Sequence, residues 1–154
     1  MTKQTVFLID DDEDDIFLAR LAFDDYLPDW KLVSFDDGQA LIDHLTVHAG
    51  DALPDLIILD LNMPRLNGFE TLTLLKRSAR WKTVPTAILS TSSNAEDRER
   101  SKAIGACTFM VKPASVDRLA TLIVKGKAIC DADQPNPAIT PGVSARLRDA
   151  PGRE

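Results

Sequence analysis

Five side chains stand where they could do chemistry. Asp10 and Asp11 follow the apolar run Val6-Phe7-Leu8-Ile9, and Asp60 follows Leu56-Ile57-Ile58-Leu59. Ser90 closes Thr86-Ala87-Ile88-Leu89, and Lys112 follows Cys107-Thr108-Phe109-Met110-Val111. Carboxylates gathered together repel: two unit charges about 4 Å apart cost about 4 kcal/mol at an effective dielectric of 20. A bound cation removes that cost. A few oxygen donors suit Mg2+, which keeps several waters and takes phosphate oxygens. A lysine and a hydroxyl beside the metal then serve as further phosphoryl contacts. A carboxylate can also attack phosphorus and carry an acyl phosphate. The pattern points to an anion held against a metal beside a nucleophilic carboxylate.

Convergence of these residues requires a particular scaffold. Each apolar run has the length of a buried strand, and Lys31-Leu32-Val33-Ser34-Phe35 supplies another. Helical stretches alternate with them. The first carries Ile16, Phe17, Ala19, Leu21, Ala22 and Phe23 as its apolar stripe and ends near Pro28. Its opening acids Asp12, Glu13, Asp14 and Asp15 suit a first helical turn, where they cap N–H groups and meet the dipole. Asp36 and Gln39 have capping-box spacing before Leu41, Ile42 and Leu45. Asn67 and Glu70 repeat that spacing before Phe69, Leu72 and Leu75, and Ser93 and Glu96 repeat it before a polar helix that stops at Gly105. Ser115 opens a last helix with Val116, Leu119, Leu122, Ile123 and Ile129 as buried candidates. Five such alternations with short loops predict a parallel sheet covered on both faces. Such sheets bind ligands at the carboxyl edge, where the five side chains fall.

Composition narrows the classes. The 154 residues suffice for one ordinary domain, and 44% hydrophobic content supports a full core. A net charge of −6 argues against a nucleic-acid partner. No apolar run reaches membrane-spanning length, and the first residues show no signal-peptide pattern, so a cytoplasmic location is expected. Cys107 and Cys130 lack CxxC spacing, which points to buried thiols in a reducing compartment, with a bridge between them left open. His44 and His48 share a helical face, but two ligands without a third read as surface histidines. Residues 131–154 hold four of the nine prolines and no strand pattern, so residues 1–130 are read as the domain and the rest as a tail. Within it, Thr140-Pro141-Gly142 can start a short helix carrying Ile139, Val143 and Leu147. The tail is either disordered or an arm that joins two copies.

The acid pair Asp10-Asp11, the run Leu59-Asp60-Leu61-Asn62-Met63-Pro64 with Gly68, Ser90 after its strand, and Lys112-Pro113 together resemble the receiver domain of two-component response regulators. The similarity covers about residues 5–130. It implies a flavodoxin-like (βα)5 doubly wound fold with five parallel strands in the order 2-1-3-4-5. It also implies a stand-alone phosphoacceptor signalling protein, not an enzyme acting on other molecules. By that resemblance Asp60 is the phosphoacceptor, and Asp11, Asp60 and the backbone carbonyl of Asn62 bind Mg2+ with help from Asp10. Lys112 pairs with the phosphoryl group, Ser90 hydrogen-bonds it, and Phe109 stands at the switch aromatic. The implied partners are a sensor histidine kinase and a downstream protein or phosphorelay component, with a homodimer as a further expectation. The acid-rich opening and the tail resemble the small regulators paired with bacterial phytochrome kinases. Two other readings compete. One is a haloacid-dehalogenase-like phosphatase, whose usual DxD signature the first strand lacks. The other is a receiver fold used as an interaction module without phosphorylation.

Overall fold

The computed structural model describes residues 4–63, 66–91 and 94–133. Five strands and five helices alternate: β1 (Gln4–Ile9), α1 (Glu13–Tyr26), β2 (Trp30–Phe35), α2 (Gly38–Val47), β3 (Leu56–Leu59), α3 (Gly68–Arg77), β4 (Thr86–Ser90), α4 (Ala95–Ile104), β5 (Thr108–Val111) and α5 (Val116–Asp133). The strands form one parallel sheet in the order β2-β1-β3-β4-β5, as the resemblance implies. Side chains alternate across the pleat. Val6, Leu8, Leu56, Ile58, Ala87 and Leu89 join the core under α1 and α5. Phe7, Ile9, Ile57, Leu59 and Ile88 join the core on the opposite face, with α2 and α3. β3 is buried along its whole length, which is why it reads as an uninterrupted apolar run.

The register brings the strand ends level. Ile9 pairs with Leu59, and Ser90 pairs with Val111. The ladder then continues one bond past the strands. Asp10 N–H donates to the Phe35 carbonyl at 3.1 Å, Asp60 N–H to the Ile9 carbonyl at 2.9 Å, and Lys112 N–H to the Ser90 carbonyl at 2.7 Å. Three of the candidate site residues, Asp10, Asp60 and Lys112, are thereby fixed through their backbones at the edge of the sheet.

Helix ends follow local chemistry, with differences from expectation. Asn67 and Glu70 form the full reciprocal capping box of α3. The cap of α2 lies one residue later than the Asp36–Gln39 pattern predicts. Asp37, nearly buried, accepts from Ala40 N–H at 2.8 Å, and Gln39 turns instead to Asp43. Ser93 lies outside the described residues; Asn94 caps α4 by accepting from Glu96 and Asp97. That helix ends at Gly105, whose φ of 135° only glycine adopts cheaply. Its only buried residue is Ser101, so it is weakly anchored, as its polar sequence predicts. Phe17 and Ile129 are 60% and 48% exposed, contrary to expectation. On α1 the buried stripe is Ala19, Ala22 and Phe23, and on α5 it runs Leu119, Ile123, Gly126 and Cys130. Phe17 and Ile129 fall off those stripes by helical phase. Helix α5 continues to Asp133, past the boundary expected at 130. The expected arm with Ile139, Val143 and Leu147 lies outside the described residues.

The cysteines also depart from the free-thiol reading. Cys107, just before β5, and Cys130, in the last turn of α5, are bonded as a disulfide with Cα atoms 5.2 Å apart. The two fall together because α5 returns antiparallel over β5 and brings its end to the strand's beginning, a juxtaposition that sequence spacing does not encode. The bridge closes a separation of 23 residues, worth about 3 kcal/mol by loop-closure entropy. Urea unfolding with a reductant present should therefore lose about 2–4 kcal/mol. An unchanged midpoint would show that the bridge does not constrain the unfolded chain. Among the described residues no helix is long and apolar enough to cross a membrane, and all peptide bonds are trans.

Candidate functional site

Asp10, Asp11 and Asp60 meet at the carboxyl edge of β1 and β3. One carboxylate oxygen from each lies within 4.8 Å of the others. Asp10 and Asp60 are 1% and 6% exposed, while Asp11 faces solvent. A half-open group of three hard oxygen donors fits a divalent cation that retains water. Among the described residues this is the only group of three or more such ligands, so the histidine pair gains no third donor. His44 and His48 instead stack at 4.4 Å, with His48 beside Asp51 and His44 edge-on to Phe7 and Phe35.

Lys112 closes the site from β5. Its Nζ donates to Asp10 Oδ2 at 2.7 Å and to Asp15 Oδ2 at 2.6 Å, and stands 3.8 Å from Asp60 Oδ2. Asp15 is the residue that sequence reasoning misplaced. It is assigned there with Asp12–Asp14 to helix capping, and Asp12 does cap α1 by accepting from Asp14 N–H. Asp15 instead points inward to the lysine. The signal was available: Asp15 is spaced i, i+4 and i, i+7 from the buried Ala19 and Ala22, so it rides the core-facing side of the helix.

The loop after Asp60 is pinned back on the strand. Asn62 N–H lies 3.4 Å from Asp60 Oδ1. Gly68 N–H donates to the Leu61 carbonyl at 3.0 Å. A Cβ at Gly68 would drive into the Asp60 carbonyl and the Leu61 Cα, so only glycine permits this close approach. Ser90 is fully buried at the end of β4. Phe109 is half-buried on β5 opposite Ile88, with the Arg98 guanidinium over its ring at 4.8 Å. The structure thus brings Asp10, Asp11, Asp60 and Lys112 together, with Ser90 on the adjoining strand end and Phe109 two residues before Val111, the partner of Ser90.

Residues 6–124 match the family model for the response regulator receiver domain. The chain is a member of that family. Receiver relatives include the probable methanogenesis regulatory protein FilR2 of Methanothrix harundinacea, 30% identical over 116 residues, or 74% of this chain and 75% of that one. Several other curated relatives, among them RcaC of Microchaete diplosiphon and PrrA of Mycobacterium tuberculosis, are longer, and the matched part of this chain spans about half of their length or less. The phosphorylated cyanobacterial phytochrome response regulator RcpA has the same fold with a TM-score of 0.74 at 28% identity, covering 88% of this chain and 99% of that one. The Mn2+-bound response regulator Rcp1 gives 0.68 at 26% identity, covering 78% and 88%.

Electrostatics give this receiver site a pH signature. Burial, helped by the Asp10 carboxylate, raises the Asp60 pKa to about 6, against the opposing pull of Lys112 and the Asn62 N–H. Asp10 is raised too, by burial first, with Lys112 pulling the other way. Burial works against the charge on Lys112, but its bonds to Asp10 and Asp15 outweigh this and hold its pKa above the ordinary lysine value. Because Asp60 is raised from 3.8 to about 6, the metal-free fold binds the extra proton in that window. Its contribution to stability is present at acid pH and is lost as pH rises through about 6. A divalent cation needs the ionised form, so Mg2+ affinity should fall by up to about tenfold per unit below pH 6. Calorimetric titrations at about pH 5 and pH 7.5 test this, and equal affinities would show that no proton competes for the ligands.

Proposed function

We propose that this receiver accepts a phosphoryl group from a sensor histidine kinase onto Asp60 in a Mg2+-dependent reaction in the cytoplasm. It then signals through a phosphorylation-dependent protein contact or a phosphorelay. The observation that carries this reading is the convergence of three carboxylates within 4.8 Å of one another with a lysine 3.8 Å from Asp60. Asp11, Asp60 and the Asn62 carbonyl would hold Mg2+, with Asp10 assisting. When bound, the ion neutralises charge on the phosphoryl oxygens. Asp60 attacks phosphorus: an O–P bond forms as the donor's N–P bond breaks, and the donor imidazole takes a proton. Lys112 exchanges one carboxylate for a phosphoryl oxygen. Ser90 then moves toward the new anion, and Phe109 fills the space it leaves. The shift spreads to α4, whose sparse packing lets it move at modest cost. The naming of RcpA as a phosphorylated phytochrome regulator and of Rcp1 as Mn2+-bound supports the acceptor and cation roles by similarity.

The test is to incubate the protein with Mg2+ and acetyl phosphate or phosphoramidate and measure its mass. One labile phosphoryl group per chain is expected. Turnover of small phosphomonoesters would favour the phosphatase reading, and no uptake at all would favour an interaction module. The cation assignment has its own check. Asp11→Ala should weaken Mg2+ binding by roughly tenfold or more, whereas Asp14→Ala, on the exposed first turn of α1, should leave it within about twofold, as screened surface charge predicts. Equal losses would remove the distinction between ligand and cap.

A further inference from the structure

We infer that the Cys107–Cys130 pair is a redox modification site, opened and closed by thiol–disulfide exchange with an anionic low-molecular-weight thiol that enters at Cys107. The two sulfurs are not equivalent. Cys130 is 0% exposed and sits in the core with Leu27 and Ile123. Cys107 is only partly buried and lines a surface groove between α4 and β5, together with Arg98, Lys102 and Phe109. An incoming nucleophile therefore reaches only Cys107, and two cations flank its path. They favour an anionic reactant and the thiolate that attacks. The opened state is also provided for. Cys107 Sγ lies 3.3 Å from the Thr86 carbonyl oxygen, which accepts the S–H once the bridge is reduced.

The exchange balances in two steps. The thiolate of the small thiol attacks Cys107 Sγ. A mixed disulfide forms there as the Cys107–Cys130 bond breaks, and the departing Cys130 thiolate takes a proton. A second small thiolate attacks the small-molecule sulfur of the mixed disulfide and releases Cys107, which is protonated. In sum, one bridge and two small thiols give two cysteine thiols and one small disulfide, with two electrons transferred to the protein. Oxidation runs the same steps backward with the small disulfide as oxidant. The closed bridge ties the end of α5 to the start of β5, and the open pair releases that tie.

The experiment uses the full chain in glutathione buffers of graded oxidised-to-reduced ratio, quenched by acid and alkylation and read by peptide mass. Both cysteines should become alkylated together in one two-electron transition, with any transient glutathione adduct on Cys107. The Arg98→Gln/Lys102→Gln double variant should exchange with glutathione about two- to fivefold more slowly, the effect of exposed charge contacts. Its rate with 2-mercaptoethanol, whose thiolate carries one negative charge where that of glutathione carries two, should fall less. Two thiols that stay free in the most oxidising buffer would overturn the inference, as would an adduct confined to Cys130. Equal effects of the double variant on the two small thiols would remove the anionic entry route.

Discussion

Replacing Asp60 by asparagine should abolish uptake of the phosphoryl group from small donors and leave the fold intact. The amide nearly matches the carboxylate in shape, so the end of β3 and the close approach of Gly68 to the Asp60 carbonyl are preserved. What disappears is the nucleophilic charge. A second signature accompanies the loss. Asp60 is 6% exposed, and burial and Asp10 raise its pKa to about 6, so near neutral pH its ionised form strains the metal-free fold. A neutral amide carries no such cost, and the metal-free Asp60→Asn protein should gain about 1–3 kcal/mol at pH 7.5. The gain should fade as pH falls through 6, where wild-type Asp60 is itself protonated, and should shrink when Mg2+ compensates the wild-type charge. Intact mass after treatment with acetyl phosphate reads the first effect, and urea titration at about pH 5 and pH 7.5 reads the second. Phosphate taken up at the wild-type rate would mean that another aspartate is the acceptor.

The sheet and most of its site could be read from the sequence because their signals are local. An apolar run that stops at an acid or a lysine fixes both the strand and the edge on which its last residue lies. Asn67 and Glu70 sit three apart and bond each other, so α3 declares its own start. What stayed hidden depends on helical phase or on distant pairing. Asp15 looks like another acid of a capping run until its spacing to Ala19 and Ala22 is weighed, and the lysine that it meets is 97 residues away. Phe17 and Ile129 are apolar residues near a stripe but off its phase. Asp36 and Asp37 are both able to cap, and the one that does, Asp37, is buried while Asp36 is exposed, a difference that the local spacing does not carry. The cysteine pair is set by where α5 lands on β5, which only the packed structure specifies.

Replacing Lys112 by methionine tests whether this lysine organises the acids or merely fills space. The methionine side chain fills much the same volume as the lysine stem, so packing changes little. The ammonium, however, is the hydrogen-bond donor shared by Asp10 and Asp15 and stands 3.8 Å from Asp60. Asp10 is 1% exposed, so water does little to solvate its charge. Removing one partner of a buried pair costs about 3–5 kcal/mol, and the upper part of that range applies only while Asp10 remains ionised. Its pKa is already raised by burial with Lys112 opposing the rise, so without the lysine it rises further. The proton that Asp10 then takes up relieves the cost. The Lys112→Met protein should therefore lose about 3 kcal/mol at pH 8 and clearly less at about pH 5. Asp10→Asn in the same background should recover part of the loss, because the uncompensated charge is gone. Mg2+ should recover another part, since a divalent ion beside Asp10 replaces the missing positive charge. Phosphoryl uptake should stay low even with Mg2+ present, by roughly 10²-fold, because a preorganised cation at the transferring group is lost. Urea titrations with and without Mg2+ at both pH values, alongside phosphorylation rates, separate these effects. A loss that is the same at both pH values and indifferent to Mg2+ would make Lys112 a packing residue and leave Asp10 without need of a counter-charge.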